Sequence, residues 1–304
     1  MMEALQSTKI PPLWIDTPDV LDRIASARSA DLSKQVARDL AQNGLAVIKR
    51  ANPPELCAQV VEDYERYVST NRSYVDASRD ELGREKRLVN FHLWSDAAAR
   101  IGTNPRTMEA LDFVFGMTAC VYTSLTFKYG TQQPVHRDSP HFATWPRNYF
   151  VGVWTALEPI HPAAGPLFYH PGAHRFRVNE GDFMREAASR RPDATAVDQC
   201  LLALDLYNGE VIRRAPQISA PKLLELETGD TVIWHPELPH GGSPAADPNG
   251  TRWSIVFHCA PDAVQVHQHQ AYFSHKSTEP PAPRYGFREF SGRKVALSGE
   301  VAYM

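Results

Sequence analysis

The chain has 304 residues, of which 43% are hydrophobic and 22% are charged, and its formal net charge is −3. This length and apolar content are sufficient for one large domain with a buried core. The near-neutral charge provides no basic surface for nucleic acid, and no apolar run is long enough to cross a membrane. The first residues lack the pattern of a signal peptide, and four widely spaced cysteines without a CxxC motif favour a reducing, cytoplasmic compartment.

The N-terminal part, up to about residue 118, is predicted to be a helical cover. Apolar residues recur at helical spacing, and Gly or Pro stands where helices end or begin. The predicted elements are a helix at 31–43, a strand at 45–49, a helix from Pro54 and a helix from Pro105. The polar segment 71–87 contains a charge run, RDELGREKR (79–87), and this run is predicted to be a solvated loop.

From residue 119 the segments become short, aromatic and β-branched, and Gly- and Pro-rich turns separate them. This pattern is typical of an all-β sandwich or barrel, so the fold is predicted to be mainly β with flanking helices. No linker divides the chain, which predicts a single domain with a core at about 119–260 and an extension at 261–304. An insertion at 175–228 has helical patches and is either a mobile lid over a binding site or a structural decoration.

Two His-x-Asp/Glu pairs occur, His136 with Asp138 and His235 with Glu237. On a strand such a pair shares one face, because side chains alternate, and its imidazole and carboxylate can hold one metal ion. From 12 histidines and 35 acidic residues, roughly 1.4 such pairs are expected by chance, so the motif alone decides nothing. Prolines flank the second pair, which favours a turn there.

The first pair gains support from residues further along the chain. His240, in LPHGG, would complete a set of two histidines and one carboxylate, the facial triad of non-haem iron(II) oxygenases. In RWSIVFH, alternation places Arg252 and Ser254 on one face of a predicted strand. A buried arginine requires an anion, and a guanidinium suits the distal carboxylate of a 2-oxo acid that chelates iron.

Four motifs in this order resemble the phytanoyl-CoA dioxygenase family, over about residues 35–260. They are HRD (136–138), VGVWTALEPIHPAAGPLFYHPGAH (151–174), GDTVIWHPELPHGG (229–242) and RWS (252–254). The resemblance implies a double-stranded β-helix, or jelly-roll, core of the cupin-like kind. It also implies an iron(II)- and 2-oxoglutarate-dependent dioxygenase that uses O₂, forms succinate and CO₂, and hydroxylates or otherwise oxidises a substrate C–H.

The same resemblance implies roles for individual residues. His136, Asp138 and His240 would bind iron, and Arg252 assisted by Ser254 would bind the distal carboxylate of 2-oxoglutarate. Three further residues would border this cosubstrate: Trp154, Ser124 and Lys128. Halogenating relatives have Gly or Ala at the carboxylate position, so Asp138 makes halogenation unexpected.

The substrate is predicted to be a small or medium metabolite, because the segments that flank the triad mix aromatic and polar residues. The candidate substrate-binding residues are Asn90, His92, His141, Phe142, Trp145 and Arg147. Such a rim does not resemble a groove for a long acyl chain. Nothing in the sequence indicates the oligomeric state.

Two alternatives remain open. One is an iron cupin-type oxygenase that does not use 2-oxoglutarate because its substrate chelates the metal. The other is a non-catalytic jelly-roll binding module. The pair Arg252 and Ser254 argues against the first alternative, and a complete triad argues against the second.

Overall fold

The computed structural model describes residues 10–247, 249–267, 269–273 and 285–304. Residues 1–9 lie outside these ranges. They are most of the segment on which the prediction about a signal peptide rests.

The helices are α1 (Val20–Ser26), α2 (Asp31–Asn43), α3 (Pro54–Thr70), α4 (Arg72–Ala77), α5 (Asp96–Gly102), α6 (Pro105–Phe115), α7 (Glu180–Arg190), α8 (Ala196–Ile218) and α9 (His269–Phe273). The strands are β1 (Leu45–Ile48), β2 (Leu88–Val89), β3 (Ala119–Phe127), β4 (Ala143–Thr144), β5 (Val151–Ala156), β6 (Leu167–Tyr169), β7 (Lys222–Leu223), β8 (Thr231–Trp234), β9 (His240–Gly242), β10 (Ser254–Pro261), β11 (Val266–His267), β12 (Gly286–Phe290), β13 (Arg293–Leu297) and β14 (Ala302–Tyr303).

The described strands form a large sheet and a small sheet that face each other, and a separate pair of strands, β4 and β11. The large sheet has the order β1-β8-β5-β10-β3-β13-β12, with β2 pairing to β3 and β14 pairing to β2. The small sheet has the order β7-β6-β9. Side chains of both sheets share one apolar cluster, which includes Trp154, Val256 and Tyr169. Two facing sheets, in which neighbouring strands are not consecutive along the chain, confirm the predicted mainly β, jelly-roll fold with flanking helices.

The other face of the large sheet is covered by the N-terminal helices. Ile255 and Phe257 of β10 pack there against apolar residues of α2, α3 and α6. The predicted helices are confirmed, and α2 ends where Gly44 adopts a left-handed φ of 78°, which glycine tolerates without strain. The charge run at 79–87 forms a loop, as predicted, and the polar residues before it form α4.

The insertion 175–228 contains α7 and α8, which pack together and against α9. Their shared apolar cluster includes Ala187, Tyr207 and Phe273. This small core is separate from the two clusters of the barrel, and β7 at the end of the insertion joins the small sheet. None of the described helices combines the length and the apolar character that crossing a bilayer requires.

Candidate metal centre and its cavities

His136, Asp138 and His240 converge at one point between the two sheets, as the sequence predicted. One ligand atom from each lies within 4.8 Å of the others. Asp138 Oδ1 is 3.7 Å from His136 Nε2 and 3.9 Å from His240 Nε2. Backbone pairing brings the two segments together, because the amides of His136 and His240 each donate to the carbonyl of the other. Among the described residues, this is the one group of three or more His, Cys, Asp or Glu side chains that could hold a metal ion.

Both imidazoles are oriented for metal binding by bonds from their other nitrogen. His136 Nδ1 lies 2.8 Å from the Pro134 carbonyl, and His240 Nδ1 lies 2.9 Å from the Leu238 carbonyl. A carbonyl only accepts, so both Nδ1 atoms carry the proton and both Nε2 atoms present a lone pair. Such bonds fix the tautomer and ring orientation of histidine ligands.

The carboxylate is held in its ionised form by its surroundings. Burial alone would raise the pKa of Asp138, but the nearby imidazoles of His240, His258 and His136 and a hydrogen bond from Trp234 lower it to about 2. Trp234 Nε1 donates to Asp138 Oδ2 at 2.7 Å, which leaves Oδ1 for a metal. Burial and the neighbouring His240 lower the pKa of His136 to about 4. At neutral pH these groups therefore have the protonation state that metal binding requires.

Trp234 has its position because Gly152 lies opposite it on β5. A Cβ added at Gly152 would lie 2.2 Å from Trp234 Cε2 and 2.5 Å from its Nε1. Since β5 pairs with β8 on one side and β10 on the other, its backbone cannot move away. We expect Gly152→Ala to reduce the free energy of unfolding by about 1–3 kcal/mol, because overpacking displaces the indole, and to weaken metal binding through Asp138.

The matched control is Gly209→Ala, an exposed position in α8 where an added Cβ meets no atom within 4 Å. This change should stabilise the helix by up to about 1 kcal/mol. Denaturant unfolding of both variants measures the difference. Equal stabilities would contradict the packing argument for Gly152.

Arg252 lines a cavity of about 440 Å³, including open solvent, that is also lined by His136 and His240 and is here called the inner cavity. Its guanidinium is buried, and burial lowers its pKa to about 10, so it stays protonated at neutral pH. Nη1 donates to the Gly165 carbonyl at 2.8 Å, but Nε has no partner, and none of the described carboxylates forms an ion pair with Arg252. The inner cavity is thus lined both by a buried cation without a carboxylate partner and by the two histidines of the triad.

Trp154, predicted to border the cosubstrate, also lines the inner cavity, whereas Ser254 is not among its lining residues. Ser254 Oγ donates to the carbonyl of Arg252 at 3.2 Å. The predicted alternation of this strand is nevertheless observed, since Val256 lines the cavity and Trp253 packs in the helical layer.

The positions predicted for Ser124 and Lys128 are corrected by the structure. Both side chains lie on the helical face of the large sheet, because Leu125 and Phe127 occupy the cavity face of β3 and side chains alternate. Ser124 Oγ contacts His92 Nδ1 at 2.7 Å, and Lys128 Nζ donates to Glu65 of α3 at 2.8 Å.

A second cavity, here called the outer cavity, borders Asp138 and encloses about 1170 Å³ including open solvent. Three of the predicted substrate residues line it: Asn90, His141 and Phe142. His92 does not, because it is buried behind the large sheet between Ser124 and Phe257. Trp145 and Arg147 line a different cavity on the other side of Phe142, where Arg147 pairs with Glu180 of α7.

Several residues around the triad were not predicted from the sequence. Arg87 lines both the inner and the outer cavity, and none of the described carboxylates pairs with it. His258 lines the outer cavity and packs against Phe142 in a tilted arrangement, with ring centroids 4.2 Å apart. The sequence held one usable signal, because His258 follows Arg252, Ser254 and Val256 on the same face of β10.

A β barrel with two histidines and one carboxylate facing an internal cavity defines a metal-binding protein of the cupin-like class. The model of the family described as Phytanoyl-CoA dioxygenase (PhyH) matches residues 40–249. The chain therefore belongs to the phytanoyl-CoA dioxygenase family, which confirms the predicted resemblance.

One relative is the "Probable phytanoyl-CoA dioxygenase" of Caenorhabditis elegans, 29% identical over 136 residues, which are 44% of this chain and 38% of that protein. The alignments with the curated relatives cover at most 38% of the length of those proteins.

Solved structures with the same fold include the epimerase SnoN in complex with Fe³⁺, alpha ketoglutarate and nogalamycin RO. It is 15% identical with a TM-score of 0.59, covering 87% of this chain and 98% of that one. Another is EctD from S. alaskensis with 2-oxoglutarate and 5-hydroxyectoine, 16% identical with a TM-score of 0.60, covering 98% of this chain and 96% of that one. At these identities the similarity establishes the fold.

Proposed function

We propose that this protein is a non-haem iron(II)- and 2-oxoglutarate-dependent dioxygenase that oxidises a C–H of a small or medium metabolite. The observation that carries the proposal is the inner cavity, which is lined by the two histidines of a complete facial triad and by a buried guanidinium without a carboxylate partner. Family membership supports the same conclusion.

The donor set fits iron(II) and 2-oxoglutarate. Two imidazole nitrogens and one carboxylate oxygen suit a ferrous ion and leave positions for a chelating 2-oxo acid and O₂. When bound, iron(II) supplies the redox chemistry by which O₂ oxidises 2-oxoglutarate to succinate and CO₂ and oxidises the substrate.

The protein's own groups would bind and orient the reactants. Arg252 would neutralise the distal carboxylate of 2-oxoglutarate in bidentate fashion, and Trp154 would pack beside it. Arg87, at the boundary of the two cavities, is a further cation available to a carboxylate. The outer cavity would place the substrate beside Asp138, and its aromatic wall, which includes Phe142, would exclude water from the reacting atoms.

Each of the two alternatives leaves one feature of the site without a purpose. An oxygenase that does not use 2-oxoglutarate has no dicarboxylate to neutralise, and burying an unpaired guanidinium would then carry an uncompensated cost. A binding module without metal gains nothing from two imidazoles held with their lone pairs toward one carboxylate oxygen.

The direct test is to supply the protein with iron(II), ascorbate and 2-oxoglutarate in air and to measure succinate. A cell extract is then searched for a metabolite that gains or loses mass consistent with hydroxylation, desaturation, epoxidation or ring closure. We expect slow succinate formation without substrate and faster formation with it. If no succinate forms and 2-oxoglutarate does not bind, the proposal is wrong.

We further propose that the partner is a small molecule and that the protein is cytoplasmic. The four cysteines are free and buried, which suits a reducing compartment. The outer cavity has a mixed aromatic and polar lining, which suits a compact metabolite better than a long acyl chain.

A further inference from the structure

Arg137, the residue between the two ligands of the HRD motif, has a position that metal binding itself does not explain. It is 1% exposed, and it lines neither the inner nor the outer cavity. In an extended segment, alternation directs Arg137 away from the side that carries His136 and Asp138. Its guanidinium therefore lies behind the metal centre and is available to organise it.

The partners of Arg137 come from three separate segments. Nη1 donates to Glu237 Oε2 at 2.8 Å, and Nη2 donates to the carbonyls of Ala173 and Phe176, each at 3.0 Å. The guanidinium carbon lies 3.7 Å from the ring centroid of Phe176. Tyr207 of α8 places its hydroxyl 3.4 Å from Nη1.

Glu237 ties this network to the third metal ligand. It lies in the turn between β8 and β9, three residues before His240, and it is buried. The backbone amide of Asp138 donates to the carbonyl of Pro236 in the same turn. The ion pair between Arg137 and Glu237 thus joins the two segments that carry the ligands, at a point behind the ligands themselves.

The same guanidinium connects the metal centre to the insertion. Phe176 lies near the start of the insertion, and Tyr207 belongs to the small apolar core of α7, α8 and α9. Additional hydrogen bonds help a buried ion pair to hold its geometry, and here two backbone carbonyls accept from Nη2, whereas Nε has no partner.

We propose that Arg137 is a positioning residue, which fixes the spacing of the metal ligands and makes the insertion part of the scaffold of the metal centre. The inference rests on the proposed metal site. It assigns the insertion a role different from that of a mobile lid, because the contacts of Phe176 and Tyr207 with Arg137 hold the insertion against the segment that carries His136 and Asp138.

The test is titration of the purified full chain with cobalt(II) alone, followed by its ligand-field absorbance. We expect Arg137→Met to weaken cobalt(II) binding roughly tenfold or more and to change the absorbance bands, as loss of outer contacts to metal ligands typically does. Arg137→Lys keeps the charge but not the planar set of guanidinium donors, so its cobalt(II) affinity should be intermediate. Glu237→Gln should weaken binding in the same direction.

The matched control is Arg214→Met. Arg214 also lies over the Phe176 ring, at 4.8 Å, and donates to the carbonyl of Arg177, but it has no bond to Glu237. Its removal should leave the affinity and the spectrum unchanged. Thermal unfolding of each variant identifies the temperature range in which all are folded.

The outcomes separate the positioning role from the proposed function. Unchanged cobalt(II) affinity and spectrum in folded Arg137→Lys and Glu237→Gln, even with lowered thermal stability, would overturn the positioning role and leave the metal site intact. If Arg137→Met does not fold, these two variants decide the question. If the unaltered protein does not bind cobalt(II), the metal site fails, and the positioning role fails with it.

Discussion

Replacement of His136, Asp138 or His240 by alanine is expected to lower iron(II) affinity by well over a hundredfold and to abolish turnover. Loss of an outer contact to a ligand already costs about 10–100-fold in metal affinity, so loss of a ligand itself must cost more. Each of the three offers one donor atom, and the three donor atoms lie within 4.8 Å of one another. Two remaining donors do not retain a labile ferrous ion.

Anaerobic iron(II) titration of the three variants measures this effect without a known substrate. The control is His235→Gln, because His235 is also a buried histidine but contacts Asp16 at 3.1 Å and lies outside the triad. It should bind iron(II) as the unaltered protein does. Normal affinity in any one of the three alanine variants would remove that residue from the metal site.

Arg252→Ala is expected to weaken 2-oxoglutarate binding about thirtyfold or more. Deleting one partner of a desolvated charge pair costs on the order of 2–5 kcal/mol, and about 1.4 kcal/mol corresponds to a factor of ten. Arg252→Lys should recover only part of the affinity, because an ammonium group cannot reproduce the bidentate fork. Iron(II) affinity should change little, because Arg252 contacts none of the three ligands.

The affinity for 2-oxoglutarate is measured by titrating it into the iron(II)-loaded proteins and following the metal-to-ligand charge-transfer absorbance. Arg288→Ala is the control, since Arg288 likewise donates to backbone carbonyls, those of His92 and Leu93, but lines neither cavity. Equal affinities in Arg252→Ala and the unaltered protein would show that Arg252 does not bind the cosubstrate. An absent band in the unaltered protein would favour the alternative without 2-oxoglutarate.

The helices and the class of fold could be predicted because their signals are local. The apolar spacing in 31–43 and the left-handed glycine at its end specify α2 without reference to the rest of the chain. The face of Arg252 could be predicted for a similar reason, since the segment alternates between a polar and an apolar set of side chains.

The face of β3 could not be predicted in this way, because both of its faces are buried and its residues do not alternate in polarity. Its orientation is decided by pairing with β10, which places Ser124 beside Phe257 on the helical side. A shift of the pairing by one residue would have exchanged the two faces. The local pattern therefore could not predict on which face Ser124 and Lys128 lie.

The sequence by itself identified the candidate metal ligands that the fold brings together, because two histidines, one carboxylate and a following Arg-x-Ser form a pattern whose chemistry depends on residue type and order. Only the tertiary structure decided what supports them. Trp234 reaches Asp138 across 96 residues, and Glu237 reaches Arg137 across 100. Such contacts depend on how strands and loops pack together, and no local periodicity encodes them.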